Sequence, residues 1–128
     1  MGLEYLWDTN AVIYYLQNAF TEEGQELMNG IINRHQPAIS AITEIELLSW
    51  KTTNEKDVSV LNSFISDSVI FELEATIKSK TIEIRKAYGL KLPDAIIAAT
   101  AIIMDLTLIS NDRRGFNKIP VLKLLNVD

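Results

Sequence analysis

A three-layer α/β sandwich around a central parallel sheet is the fold class this sequence predicts. Three observations carry it. Short apolar runs of strand length alternate with segments of helical periodicity, and no hairpin-type turn joins one run to the next. One stretch, Lys91 to Asp105, is apolar nearly all round, as befits a helix enclosed by other elements.

Leu3 to Trp7 is a first strand, stopped by Asp8-Thr-Asn10, three residues of turn and N-cap type. Ala11 to Gln17 reads as a helix, and Thr21 to Arg34 as a second, amphipathic one with Leu27, Met28, Ile31 and Ile32 at helical spacing. Pro37 to Ser40 is a second strand, after which Thr43 is expected to open a helix. Glu55 to Ser66 places Val58, Leu61, Phe64 and Ile65 on one helical face, and Ser68 to Leu73 is the third strand. Glu74 to Tyr88 is helical and Gly89 is its natural stop. In the enclosed helix Pro93 suits the first turn, where its missing N–H costs nothing, and Ala98, Ala99 and Ala101 permit close approach of neighbouring backbone. Thr107 to Ser110 is the fourth strand, Asn111 to Gly115 a loop, and Pro120 to Leu125 a final edge strand. No linker, internal repeat or low-complexity tract divides residues 1–128, so a single domain is expected.

The composition narrows the function classes. The chain has no cysteine, which excludes a disulfide framework and a zinc–thiolate site. The start of the chain, with Glu4 and Asp8, lacks the basic and apolar pattern of a signal peptide, and the uncharged run from Ala95 to Met104 is half the length of a membrane span. A soluble cytoplasmic protein is expected. A net charge of −5 argues against gripping nucleic acid by bulk electrostatics. The charge is unevenly spread: residues 1–64 hold three Lys/Arg against nine Asp/Glu, and residues 65–128 nine against eight. A phosphate-contacting surface is therefore expected from the second half, where Arg113, Arg114 and Lys118 are the candidates.

Ligands of an open parallel sheet bind outside the carboxyl ends of its strands. Asp8 and Asp112 lie just past strand ends, Glu46 falls in the helix after Ser40, and Asp94 opens the helix that runs antiparallel into the fourth strand, which brings it to the same edge. Each acid also has a plainer role open to it. Asp8 can cap a helix, Asp94 can satisfy first-turn N–H groups, Asp112 can form an Asx turn, and Thr43-Glu-Ile-Glu46 is a capping box. Glu44 competes with Glu46 and spacing alone does not choose; the third helical position, nearer the crevice, favours Glu46. Asp105 is excluded, because eleven residues from Asp94 span about 16 Å of helix.

Four carboxylates at one edge repel one another unless protonated or bridged by cations, and oxygen-only ligands select Mg²⁺ or Mn²⁺ over zinc. Such ions hold a phosphate between attacking and leaving oxygens, so phosphodiester hydrolysis is the chemistry that fits. Thr9, Asn10, Ser110 and Asn111 are the polar neighbours that would support these acids. His35, the only histidine, lies between elements and reads as a surface residue; no Gly-rich phosphate loop or nucleophile elbow is present. Val12 to Leu16 carry more apolar surface than one buried helix face needs, a candidate surface for a partner or a second copy.

In these residues the chain resembles the PIN domains, specifically the VapC-type toxin ribonucleases of prokaryotic toxin–antitoxin pairs. The matching pieces are Leu-Trp-Asp8-Thr-Asn, Ile-Ser-Ala-Ile-Thr43-Glu-Ile-Glu46-Leu-Leu, Leu-Pro-Asp94-Ala-Ile-Ile-Ala-Ala-Thr-Ala, and Leu-Thr-Leu-Ile-Ser110-Asn-Asp112 with Phe116 and Ile-Pro-Val-Leu-Lys123 following. They span nearly the whole chain in the family's order. The resemblance implies a metal-dependent endoribonuclease with Asp8, Glu46, Asp94 and Asp112 as its acidic quartet, and it chooses Glu46 over Glu44. It also implies strand order 3-2-1-4-5, a homodimer, and inhibition by a cognate antitoxin. Gly115 departs from the pattern, since the family often has an acid before the phenylalanine. Two other classes compete: a PIN-like binding module without catalysis, and a phosphoacceptor receiver domain. The latter wants an Asp ending a central strand, and Ser68 to Leu73 ends without one.

Overall fold

The computed structural model describes residues 3–112 and 115–128. Its elements are β1 (Tyr5–Trp7), α1 (Thr9–Leu16), α2 (Glu22–Arg34), β2 (Ala38–Ser40), α3 (Ala41–Leu48), α4 (Glu55–Asp67), β3 (Val69–Phe71), α5 (Ala75–Tyr88), α6 (Leu92–Ile103), β4 (Thr107–Ser110), a 3₁₀ turn at Phe116–Lys118, and β5 (Leu124–Asn126). The five strands form one parallel sheet in the order β3-β2-β1-β4-β5, as expected. Register pairs Trp7 with Ile109 and Ser110 with Asn126, so Asp8 and Asp112 leave the sheet at one edge.

Alternation along the strands divides the core between two faces. Leu6, Ala38 and Leu108 pack with Ile77 and Ile84 of α5 and with α6, whereas Trp7, Ile39 and Ile109 pack with Val12 of α1, Met28 and Ile31 of α2, and Phe64 of α4. Every residue from Ala95 to Ala101 is buried. Four alanines in that run, all without exposed surface, let α6 lie close against the sheet. The far end of α6 closes in a Schellman motif: Leu106 N–H donates to Ala101 C=O and Asp105 N–H to Ile102 C=O, with Asp105 itself left-handed at φ 55°. Asp105 also pairs with Lys123 at 2.9 Å, which gives it a structural role away from the acidic edge.

Three local expectations are corrected. Helix α3 starts at Ala41 instead of Thr43, because Ser40 is its N-cap and accepts from Thr43 N–H at 3.2 Å. The capping box is thereby displaced, and Glu46 lies in the second turn, not the first. The last strand begins at Leu124, after Ile119 and Leu122 have turned inward beneath the chain, so Pro120 lies outside it. His35 is half-buried, with Nε2 3.3 Å from Glu4 and its ring edge-on to Tyr5, near the start of β1 and remote from the acids.

Candidate active site at the carboxyl edge of the sheet

Asp8 is the most enclosed of the four acids, only 4% exposed. It occupies the N-cap position of α1 but its side chain makes no capping bond. The chain is held there by Asp8 N–H donating to Ile109 C=O at 2.9 Å, and Oδ2 accepts from the Ser110 hydroxyl at 2.9 Å. Ser110 Oγ also accepts from Asp112 N–H at 2.9 Å. One buried serine thus fastens the end of β1 to the turn that presents Asp112.

Burial raises the Asp8 carboxyl from 3.8 to about 6; the Ser110 hydroxyl and the Thr9 backbone N–H pull it down, while the charges of Asp94 and Asp112 push it up. Asp94, third residue of α6 and half-buried, is likewise raised, first by burial, then by Asp112 and Glu46, against a lowering effect of Lys91. The four acids therefore share one electrostatic environment although they come from four places in the chain. Among the described residues no three His, Asp or Glu side chains are gathered closely enough to hold an ion as they stand. Like charges drive such side chains apart, and drawing them together requires a cation to offset the repulsion.

Glu46 is exposed, and the Thr9 hydroxyl donates to its Oε1 at 2.7 Å. Thr9 Oγ1 also lies 2.9 Å from the buried Thr43 Oγ1, which is 3.2 Å from Ser40 Oγ. This row of hydroxyls ties α1 to α3 and aims Glu46 from its second-turn position. Of the supporting polar residues, Thr9 and Ser110 thus contact the acids; Asn10 is exposed on α1, and Asn111 is half-buried with a buried Oδ1 that has no hydrogen-bond partner among the described residues. Arg113 and Arg114 lie outside the described residues.

A polar cavity of about 310 Å³ opens beside the acids, lined by Gly89, Leu90, Lys91, Asp94, Asp112, Gly115 and Lys118. Lys118 was expected near phosphate; Lys91 was not, because its sequence neighbours Gly89-Leu-Lys-Leu-Pro93 give no basic pattern. On the other side of Glu46 lies an apolar groove of about 210 Å³ lined by Ile13, Leu16, Leu47, Trp50 and Leu61, among others. Val12 is fully buried, so the apolar surplus of α1 reduces to Ile13 and Tyr14, which are exposed, and the half-buried Tyr15 and Leu16.

The family model for the PIN domain matches residues 5–122. Among solved structures, the chain is similar to VapBC2 from Rickettsia felis bound to a DNA fragment from their promoter, with TM-score 0.82, 26% identity and full coverage of both chains. DNA-bound VapBC from Salmonella typhimurium gives TM-score 0.82 and 25% identity over 98% of this chain and 99% of that one. A toxin–antitoxin complex from Klebsiella pneumoniae gives 0.77 and 26% over 98% of each. No curated protein matches significantly in sequence. With that model covering most of the sequence and the strand order 3-2-1-4-5 agreeing with the fold, the chain belongs to the PIN domain family.

Proposed function

We propose that this chain is the toxin of a VapBC-type toxin–antitoxin pair and acts as a Mg²⁺- or Mn²⁺-dependent endoribonuclease. The observation that carries the reading is the mutual electrostatic influence of Asp8, Asp94, Asp112 and Glu46 at the carboxyl edge, with Asp8 kept buried despite its charge. The donor set is all oxygen and anionic, which fits a hard divalent cation. Asp8 and Asp94 would hold it directly, Asp112 partly through water, and Glu46 would bind it or orient the attacking water. When bound, the ion supplies Lewis-acid polarisation of the phosphoryl oxygen and a water of lowered pKa.

The chain's own residues do the positioning. Ser110 fixes Asp8 and the Asp112 turn together, and Thr9 fixes the Glu46 carboxylate, so the acids present a set geometry to a phosphodiester. Arg113, Arg114 and Lys118 are proposed to contact RNA phosphates. The similar structures are of VapBC pairs and of a toxin–antitoxin complex. That supports a cognate antitoxin as partner, and the apolar groove beside Glu46 is the surface we assign to it; a homodimer acting in the cytoplasm completes the reading. Among the described residues no helix is long and apolar enough to cross a membrane.

The test is cleavage of single-stranded RNA by purified protein in Mn²⁺, in Mg²⁺ and in chelator, with Asp8→Asn, Glu46→Gln, Asp94→Asn and Asp112→Asn in parallel. Cleavage that requires the ion and falls at least a hundredfold in Asp8→Asn and Asp94→Asn is expected. Folded parent protein that binds RNA without cutting it in any ion would assign the chain to the non-catalytic binding modules.

A further inference from the structure

The cavity beside Asp94 and Asp112 is flanked by two ammonium groups on different elements. Lys91 sits at the N-cap of α6, and Lys118 ends the 3₁₀ turn. Both are exposed, and neither takes part in an ion pair among the described residues, whereas Lys80 pairs with Glu83 and Lys123 with Asp105. The same cavity holds the carboxylates of Asp94 and Asp112, and Lys91 interacts electrostatically with Asp94; once a cation engages those two acids, Lys91 and Lys118 are the charges left to meet an anion. Two of the lining positions, Gly89 and Gly115, contribute no side chain. Gly89 is left-handed at φ 68° and closes α5, and a Cβ built there meets nothing within 4 Å. The volume, about 310 Å³, is at the small end of ligand cavities.

We infer that this cavity is a nucleotide subsite: it takes the nucleotide next to the scissile bond, with that nucleotide's own phosphate held between Lys91 and Lys118. The assignment rests on the ribonuclease reading above and adds to it the path of the strand, which leaves the acids over the α5–α6 turn and not over the apolar groove at Glu46. Lys91 and Lys118 are positioning residues here. They contact a phosphate that does not react.

The experiment measures binding of a labelled single-stranded RNA by anisotropy, in chelator and in Ca²⁺, across about 0.05 to 0.2 M salt. Lys91→Gln and Lys118→Gln are each expected to make the log–log salt slope shallower by about 0.7, and the double variant by about 1.4. In cleavage assays KM rises with little change in kcat. Lys123→Gln, removed from the cavity and paired with Asp105, should leave the slope unchanged. A parent protein that binds and cleaves RNA while Lys91→Gln and Lys118→Gln keep its slope, or while Lys123→Gln lowers it equally, overturns the subsite alone. A parent that neither binds nor cleaves RNA overturns the ribonuclease reading and the subsite with it.

Discussion

Replacing Asp8 by Asn separates a carboxylate kept for chemistry from one kept for stability. A carboxyl moved from 3.8 in the unfolded chain to about 6 in the folded one binds its proton more tightly when folded, and the difference corresponds to about 3 kcal/mol. The sign follows from that. Below pH about 4 the group is protonated in both states and its contribution is fully present; between pH about 4 and about 6 the unfolded chain has lost the proton that the folded one keeps, and stability falls as pH rises. At pH 7 the buried charge therefore costs the metal-free parent about 3 kcal/mol. Asn cannot ionise, and its Oδ1 can still accept from the Ser110 hydroxyl, so Asp8→Asn should be more stable than the parent at pH 7 in chelator by up to that amount. For a chain of this length that is roughly 10 °C in Tm. The gain should fade to near zero by pH 4. Adding Mn²⁺ closes the gap and then reverses the order: an ion at about a thousandfold excess over its Kd stabilises the parent by about 4.1 kcal/mol, and the variant by much less. The assay is thermal unfolding of both proteins from pH 4 to 8, in chelator and in Mn²⁺. A variant less stable than the parent at pH 7 in chelator, with pH profiles that run parallel, would refute the reasoning and make Asp8 a stabilising group.

Ser110→Ala removes the hydroxyl that holds Asp8 and the Asp112 N–H, so it should cost about 1–3 kcal/mol and move the fall in stability to higher pH, since that hydroxyl lowers the Asp8 pKa; pH-dependent unfolding reads both effects. Glu46→Gln should abolish most cleavage while Glu44→Gln leaves it within a fewfold, and equal losses would return the choice between them to open. Asp128 accepts from Thr21 N–H and from the Thr21 hydroxyl at the start of α2, and a Cβ at Gly24 would collide with that carboxylate. Asp128→Ala should therefore destabilise by about 1 kcal/mol, and Gly24→Ala, relieved of the contact in the Asp128→Ala background, should stabilise that variant by up to about 1 kcal/mol by chemical denaturation.

Much of the fold was legible because its signals are local. The apolar stretch around Ala95 to Ala101 could only be an enclosed helix, and the strand-length runs at Trp7, Ile39 and Ile109 needed no long-range information to be found. Boundaries were less legible where two residues compete for one role. Ser40 and Thr43 both have N-cap side chains, and the choice of Ser40 depends on where β2 ends, which its pairing with β3 sets at Ser40↔Phe71. Pro120 to Leu125 looked like a strand throughout because alternation cannot tell a residue turned into the core, such as Leu122, from one in a ladder.

The sequence by itself determined which acids are available, that no thiol and only one imidazole compete with them, and that parallel strands would bring their following residues to one edge. Tertiary structure decided how those acids differ. Burial against β4 makes Asp8 hard to ionise although the Ser110 hydroxyl favours its charged form, while Glu46 stays exposed and held by Thr9, and neither property is local. The same holds for Lys91 and Lys118, 27 residues apart in the chain, which share a cavity only because α6 and the 3₁₀ turn meet beside β4. Electrostatic energy depends on distance through space and on exclusion of water, and sequence spacing specifies both only within a helix or a strand.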